Sequence, residues 1–409
     1  MFDLGLTEDQ QRKAGEWHDF AATVIRPVAA QHDREQSMPW EVLEEAARRG
    51  IYAPQFYGDG ISDPTGLSLV LATEEIFWGC AGIGLQLMVP ALALSGLASS
   101  GTPEQLFRWA PDCFGTPGDL KLGALAVTEP TGGSDVAALR TTARRDGEDW
   151  VLNGRKTFVG NGGIADVHIV VASVDADLGH RGQAQFVVTK DAPGLKAVRK
   201  LDKLGLRAAY TGEFEMVDCR IPGDQLLGGD EKLERRLDRG RRGESSGGSS
   251  ALQALERTRP AVGAQAIGVA RAAYEYARDY ARERRSFGVP IAEHTPIAYK
   301  LADMALEIDA ARLLVWRAAW MAAQGKTYYQ SEGSMSKLKG SELATRVSEQ
   351  ALQVLGGHGF TADHPVEKWY RDAKVFDIYE GTSEIQRMVI AKAVREDAGL
   401  PIHLAHAHG

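Results

Sequence analysis

Apolar residues recur at helical spacing along the first third of the chain and again along its last third, and only between them does the pattern shorten to strand-like runs. Thr7 before Glu8-Asp9-Gln10 is a helix-start signature, and Phe20, Val24 and Val28 mark the inner side of a helix running to Ala30. Met38 to Arg49 predicts a second amphipathic helix closed by Gly50. Pro54 to Gly66, rich in Gly, Pro and Asp, reads as a loop, after which Leu67 to Trp78 resumes the helical pattern. Ala81 to Ala98 is nearly free of polar side chains and approaches the length of a membrane span. Pro90 in its middle, its small residues and the lack of a basic flank favour a buried helix of a large bundle.

At about Leu122 the character changes. Leu122 to Val127 is short and apolar, Val167 to Ser173 is rich in β-branched residues, and Ala184 to Thr189 and Gly212 to Val217 are further strand candidates. Asn153-Gly154 between Trp150-Val151-Leu152 and Arg155 to Val159 predicts a hairpin. From Leu233 to Gln253 the chain is Arg-, Gly- and Ser-rich, with Arg235, Arg236, Arg239, Arg241 and Arg242 leading into Ser245 to Ser250, a composition that favours a mobile excursion over a packed element. Helical spacing returns at Arg259 to Arg285, Thr295 to Gly325 and Gly333 to Leu355, and with the segment after Gly381 these lengths suit a four-helix bundle. The expected organisation is α+β and multidomain: an N-terminal helical domain (1–121), a middle antiparallel β domain (122–228), the Arg/Gly/Ser-rich insertion (229–257), a C-terminal four-helix bundle (258–396) and a tail (397–409).

The length of 409 residues agrees with two or three domains. Charged residues at 25% and a net charge of −8 describe an ordinary soluble chain and argue against nucleic acid or an anionic membrane as partner. Cys80, Cys113 and Cys219 lie far apart, which suggests neither a disulfide framework nor a cysteine zinc site and fits a reducing cytoplasm. The first nine residues lack a basic segment leading into an apolar one, so no signal peptide is expected. No metal site is expected either, since His403, His406 and His408 read as a frayed tail; Leu87 to Leu97 could line a ligand pocket, but residues of this kind are far more often core.

One stretch carries candidate chemistry, Asp377-Ile378-Tyr379-Glu380-Gly381-Thr382-Ser383-Glu384-Ile385-Gln386-Arg387. Glu380 falls where a loop becomes a helix, beside Ile378 and Tyr379, and partial desolvation there would raise its pKa towards that of a general base. Thr382, Ser383 and the free N–H groups of the helix start suit an anionic or polarised ligand atom. Taken alone, the stretch fits equally well a solvated Glu380 with Ser383 capping the helix. Glu384 reads as a helix-start carboxylate favoured by the dipole.

Four further stretches place glycines beside hydrogen-bonding or basic residues: Val127-Thr128-Glu129-Pro130-Thr131-Gly132-Gly133-Ser134-Asp135, Arg284-Arg285-Ser286-Phe287-Gly288, Gln353-Val354-Leu355-Gly356-Gly357-His358-Gly359-Phe360 and Arg371-Asp372-Ala373-Lys374. In this order, followed by the Glu380 segment, they resemble the acyl-CoA dehydrogenase family of flavoproteins from Phe2 to about Arg395, apart from the insertion. Within the family, Thr258-Arg259-Pro260 and Tyr379 to Ser383 look most like the short- and medium-chain branch.

The resemblance implies a homotetramer with FAD between subunits, an acyl-CoA or acyl-carrier-protein thioester as substrate and an electron-transfer flavoprotein or similar acceptor as partner. It gives Glu380 the role of base for the α proton, with the β hydride passing to flavin N5 and the thioester carbonyl held by the Glu380 N–H and a flavin ribityl hydroxyl. It implies flavin contacts for Leu125, Val127, Thr128, Gly133, Ser134, Phe158, Val159 and Gly160, and for Arg284, Phe287, His294, Thr295, Gln353, Gly356, Gly357, Thr382, Ser383 and Glu384, those of Arg284 and Phe287 being to the FAD of a neighbouring subunit. Ser134, Glu256, Thr258, Arg259, Tyr379 and Gly381 would meet the thioester, and His294 and His358 belong to the cofactor shell rather than acting as bases. Phe158 stands for the family's usual tryptophan, Gly160 for its Thr or Ser, and Thr295 follows His294 where glutamine is usual. The rival readings are an oxidase, a carrier-protein dehydrogenase or a flavin monooxygenase on the same scaffold, and a non-catalytic binding member using the Arg-rich insertion.

Overall fold

The computed structural model describes residues 5–244, 250–328 and 331–396. The N-terminal helices are α1 (Glu8–Phe20), α2 (Arg26–Glu35), α3 (Trp40–Arg48), α4 (Pro54–Ser62), α5 (Leu67–Gly79), α6 (Ala81–Ser100) and α7 (Pro103–Trp109). Thr7 caps α1 with the expected reciprocal bonds to Gln10, and Gly50 ends α3 at φ 72°. A π-helical turn, Ala21–Ile25, joins α1 to α2 and shifts the phase, so that Phe20, Ala21, Ile25 and Ala29 are buried while Val24 and Val28 only flank the core. Pro54 to Ser62, expected to be loop, is helical: Pro54 sits in the first turn, where its missing N–H costs nothing, and Tyr57 and Gly60 pack inward. The apolar α6 is long enough to cross a membrane by length and composition, but most of it is buried inside the protein, against α5 and the sheet.

After a short hairpin, β1 (Gly115–Thr116) and β2 (Asp119–Leu120), come β3 (Gly123–Ala126), β4 (Thr142–Asp146), β5 (Asp149–Gly160), β6 (Val167–Ser173), β7 (Gln183–Thr189), β8 (Leu195–Lys200) and β9 (Thr211–Pro222). These form one seven-stranded curled sheet. It is antiparallel except where β6 pairs in parallel with β3 and, through Thr142 and Ser173, with β4. The hairpin expected at Asn153-Gly154 is not there. Both residues lie inside β5 at a bulge, where the Asn153 amide exchanges bonds with Asp218 on β9 (Nδ2 to Oδ1 3.2 Å; Asp218 N to Oδ1 2.8 Å). The turn is made instead by Gly147-Glu148, between the paired Asp146 and Asp149.

The Arg-rich stretch is not a mobile excursion as far as Arg242. Residues Gly229–Arg241 form α8, whose Leu233 is buried in the sheet's core and whose Arg241 pairs with Asp175 at 3.2 Å, while Arg236 bonds the Gln183 carbonyl. Spacing of Leu233 and Leu237 on one face gives the helix an apolar stripe that composition alone conceals. Ser245 to Ser249, the side chains of Ser250 and Glu256, and the tail with His403, His406 and His408 lie outside the described residues.

The C-terminal helices are α9 (Ser250–Glu283), α10 (Thr295–Ala323), α11 (Glu332–Leu355), α12 (Val366–Ala373) and α13 (Ser383–Glu396), with β10 (Arg285–Ser286) and β11 (Val289–Pro290) forming a hairpin after α9. Glycines set the closest approaches. A Cβ on Gly268 of α9 would lie 2.4 Å from the Glu74 carbonyl of α5, and one on Gly340 of α11 would lie 3.0 Å from the Gly263 carbonyl of α9. At the α5 contact, Glu74 accepts from Arg271 and Arg312, both at 2.8 Å. Burial pushes the Glu74 carboxyl up, but the two guanidinium groups outweigh it and hold it low. Arg371, in one of the stretches expected to meet a ligand, is spent on structure: its guanidinium grips Asp33 and Glu367, while Asp372 accepts from Leu206 N at 2.7 Å and so fastens a loop of the β region to α12.

Candidate active site

Between α12 and α13 the chain turns on Ile378 and Tyr379, whose N–H groups both donate to the Val375 carbonyl. It then passes through two left-handed residues in succession, Glu380 at φ 53° and Gly381 at φ 91°. A left-handed glutamate is uncommon and costs on the order of 1–2 kcal/mol, so the surrounding structure must hold it. Gln386, fully buried on α13, donates from Nε2 to the carbonyls of Glu380 (3.2 Å) and Gly381 (2.9 Å). Lys337, fully buried on α11, donates to the carbonyls of Phe376 (2.5 Å) and Gly381 (2.8 Å). Asp377 is held by Lys374 at 2.9 Å and by the hydroxyls of Thr345 and Ser383, both at 3.3 Å.

The helix cap is Thr382, which accepts from Ile385 N at 3.3 Å, and not Ser383. The two carboxylates of this segment are driven apart. Glu384 is exposed, and its own N–H and the Thr382 hydroxyl hold its carboxyl low. Glu380 is exposed as a residue, although protein crowded around its carboxyl desolvates that group. Desolvation raises its carboxyl, against the pull of Lys337 and Arg259. Its backbone N–H meets no acceptor among the described residues. Arg259 is buried on α9 and donates to Ser334 on α11, and Tyr379 donates its hydroxyl to Gln265, one turn and a half further along α9.

On the sheet, Leu125 is the penultimate residue of β3 and the following loop carries Val127, Thr128, Gly133 and Ser134, the last two exposed. Thr157 N donates to the Thr128 carbonyl at 3.0 Å, which lays the end of β5 beside this loop. There a bulge puts Phe158 at φ 56° with 70% of its surface exposed, between buried Thr157 and Val159. A bulky residue in that conformation, aimed outward, offers a flat ring face to something outside the chain. At Gly160 a Cβ would lie 2.8 Å from Val89 of α6, so a valine methyl occupies the space a side chain would need.

The remaining expected residues gather at the far end of α9. Arg284 is exposed, Phe287 tips the β10–β11 hairpin at φ 49° and 95% exposed, and His294 Nε2 meets the Ser286 carbonyl at 3.1 Å with its ring 5.8 Å from that of Phe287. Thr295 starts α10, and Gln353, Gly356 and Gly357 are exposed where α11 ends. His358 beside them bonds Tyr280 of α9 at 2.9 Å. Thr258 is exposed on the Arg259 side. From residue 259 to residue 284 is twenty-five residues, nearly all on α9, or roughly 37 Å at helical rise. One flavin ring therefore cannot meet both Glu380 and Phe287 of the same subunit.

Lys337 and Gln265 escaped the sequence reading, and Asp377 and Gln386 were given no role in it although they lie in the candidate stretch. Lys337 had a usable signal: it shares the buried face of α11 with Gly333, Ser334, Gly340, Ser341 and Ala344, where a lysine is out of place.

Comparison with known proteins covers nearly the whole chain. Family models for the N-terminal, middle and C-terminal domains of acyl-CoA dehydrogenase match residues 7–116, 124–219 and 245–395. The mitochondrial short-chain specific acyl-CoA dehydrogenase of Homo sapiens is 40% identical over 390 residues, 94% of this chain and 90% of that protein. The cyclohexane-1-carbonyl-CoA dehydrogenase of Geobacter metallireducens is 37% identical over 378 residues, 91% of this chain and 94% of that protein. The solved butyryl-CoA dehydrogenase of Megasphaera elsdenii superposes with a TM-score of 0.85 at 32% identity, over 96% of this chain and all of that one.

Proposed function

Because the chain belongs to the acyl-CoA dehydrogenase family, FAD-dependent oxidoreductases acting on a CH–CH bond, we propose that Glu380 is the base that takes the α proton of an acyl-CoA thioester. The observation that carries this is the Glu380 turn: a desolvated carboxyl with a raised pKa, on a left-handed backbone clamped from two helices, with its own N–H open. The raised pKa gives the carboxylate appetite for a weakly acidic proton. The open N–H supplies one donor to the thioester carbonyl, where negative charge gathers as the α proton leaves. The positive charges of Lys337 and, more weakly, Arg259 oppose the rise in the Glu380 pKa and favour the ionised carboxylate.

The residues present fit FAD. The outward ring of Phe158, the hydroxyls of Thr128 and Ser134 and the exposed backbone at Gly133 would form one face for the ring system, and Thr382 and Ser383 stand at the start of α13. Bound there, FAD supplies the acceptor for the β hydride, so that an acyl-CoA leaves as the trans-2-enoyl-CoA. Arg284, Phe287, His294, Thr295, Gln353, Gly356 and Gly357 would serve a second subunit's cofactor, since roughly 37 Å separates them from their own subunit's base. The exposed stripe Tyr299, Leu306 and Leu313 along α10, at seven-residue spacing and 67%, 67% and 39% exposed, supports a helix-to-helix contact in a homotetramer. An electron-transfer flavoprotein is the acceptor we assign. The free, buried Cys80, Cys113 and Cys219 agree with a reducing compartment such as the cytoplasm.

The test is anaerobic titration of the purified holoenzyme with short, medium, branched and cyclic acyl-CoAs, following loss of the oxidised-flavin absorbance. Glu380→Gln should stay yellow and bind thioester while the bleaching rate falls at least about a hundredfold. Bleaching at the original rate would remove the assigned base.

A further inference from the structure

We propose that Lys337 is a positioning residue for Glu380: its ammonium ties the Phe376 and Gly381 carbonyls, on either side of Glu380, and sets a buried positive charge behind the carboxylate. This rests on the reading of Glu380 as base.

The turn is fixed from two sides by buried donors. Gln386 must point its NH2 at the Glu380 and Gly381 carbonyls, because the flipped amide would set oxygen against oxygen; its Oε1 is accordingly buried without a partner. A Cβ on Gly381 would lie 2.7 Å from that Nε2, so the turn has no room to slide towards α13. Lys337 closes the other side, from α11. Three carbonyls of one turn thus face two buried donors, and the same turn leaves the Glu380 N–H without an acceptor among the described residues.

A neutral donor would satisfy two uncharged carbonyls at less cost in desolvation. The charge therefore asks for another reason, and the surroundings give one. The charged groups facing Lys337 are Asp377 and Glu380 from the turn, Glu384 from α13 and Arg259 from α9. Asp377 already has Lys374, and the Glu384 carboxyl is held low by its own N–H and the Thr382 hydroxyl, which leaves Glu380 as the desolvated carboxyl without a cation in contact. Of the charges that oppose its desolvation, Lys337 is the larger and Arg259 the smaller. Burial in turn draws the Lys337 ammonium down to about 8, so it is still charged at neutral pH.

The experiment compares the holoenzymes of the native chain, Lys337→Gln and Lys337→Arg in cofactor content, melting temperature, and kcat and KM across pH. Lys337→Gln can still donate to a carbonyl but carries no charge. The expected result is normal FAD content, KM within about twofold, kcat lowered about tenfold or more at pH 6, and an acid limb of kcat/KM moved to higher pH. An unmoved acid limb, with activity lost only in step with FAD or melting temperature, would overturn the proposal. Should Lys337→Gln not take up FAD, Lys337→Arg decides: an acid limb left in place by the retained charge supports the proposal, and an acid limb moved to higher pH despite that charge refutes it. The carboxyl stretch of protonated Glu380, identified by its absence in Glu380→Gln, gives a readout independent of turnover. If Glu380→Gln stays active the base assignment fails, yet that band still reports whether Lys337→Gln shifts the titration of Glu380 upward.

Discussion

Replacing Lys156 by methionine should loosen the cofactor without unfolding the sheet, and the size of the effect can be worked from one buried pair. Lys156 Nζ donates at 2.8 Å to both Glu129 Oε1 and the Val127 carbonyl, and its side chain is fully buried. Glu129 also accepts from the N–H groups of Arg140 (2.7 Å) and Thr141 (2.9 Å), so one carboxylate gathers both ends of the loop that carries Thr128, Gly133 and Ser134. Burial draws the lysine down, and it pushes the glutamate up until Lys156 and the backbone donors reverse the shift. With three donors on the carboxylate the ionised pair is the state we take as native. Taking away one member of a buried pair leaves the other uncompensated, at about 3–5 kcal/mol. If the loop alone bears the lower figure, the ratio of its ordered to its disordered form falls about a hundredfold and the apparent Kd for FAD rises by up to the same factor. Equilibrium titration of apoprotein with FAD, beside a thermal melt, measures this; unchanged FAD affinity in a folded variant would refute the reasoning.

Two further predictions concern the same domain. His168 is fully buried, accepts from Gly163 N at 3.0 Å through Nε2, and is pushed down from 6.5 to about 4 by burial; the unfolded chain therefore binds the extra proton, and up to about 3 kcal/mol of stability, complete above pH 6.5, is lost as pH falls from 6.5 to 4. Urea denaturation across that range should show a shallower pH dependence in His168→Gln, and an equal slope would contradict the assignment. Gly160→Ser, which restores the side chain usual in the family, should cost about 1–3 kcal/mol by driving against Val89, and Val89→Ala should recover most of it; a fully stable single variant would show that α6 yields more easily than the 2.8 Å contact implies.

Most of the helices and five of the seven strands of the large sheet were legible because their signals are local: Thr7 with Gln10, Gly50 after α3, and the β-branched run at β6 each act within a few residues. Errors fell where a distant partner decides. Asn153-Gly154 has the chemistry of a turn, but Asp218 on a neighbouring strand satisfies the asparagine and converts it into a bulge. Pro54 to Ser62 has the composition of a loop, yet α5 and α6 pack against it and make a helix of it. The arginines of α8 suggested a mobile segment because composition ignores that Leu233 and Leu237 share a face. At the site, Glu380 was visible from its motif, whereas Lys337 and Gln386 act on backbone carbonyls, which no side-chain pattern records.

That last contrast bears on why the base sits where it does. A glutamate within a helix would need no clamp, but its N–H would be committed to the helix ladder and could not meet a substrate oxygen. In the left-handed position just before Gly381, the same residue presents both an acceptor and a donor to one ligand, the carboxylate from its side chain and the N–H from its backbone. The conformation costs on the order of 1–2 kcal/mol. The donors from α11 and α13, each worth about 1 kcal/mol or more in a buried setting, offset it. The close approach of α9 to α11 at Gly263 and Gly340 belongs to the same device, since it brings Arg259 and Lys337 under one turn. A bulky residue at Gly340 would part those helices and should release the Glu380 turn while leaving the sheet intact.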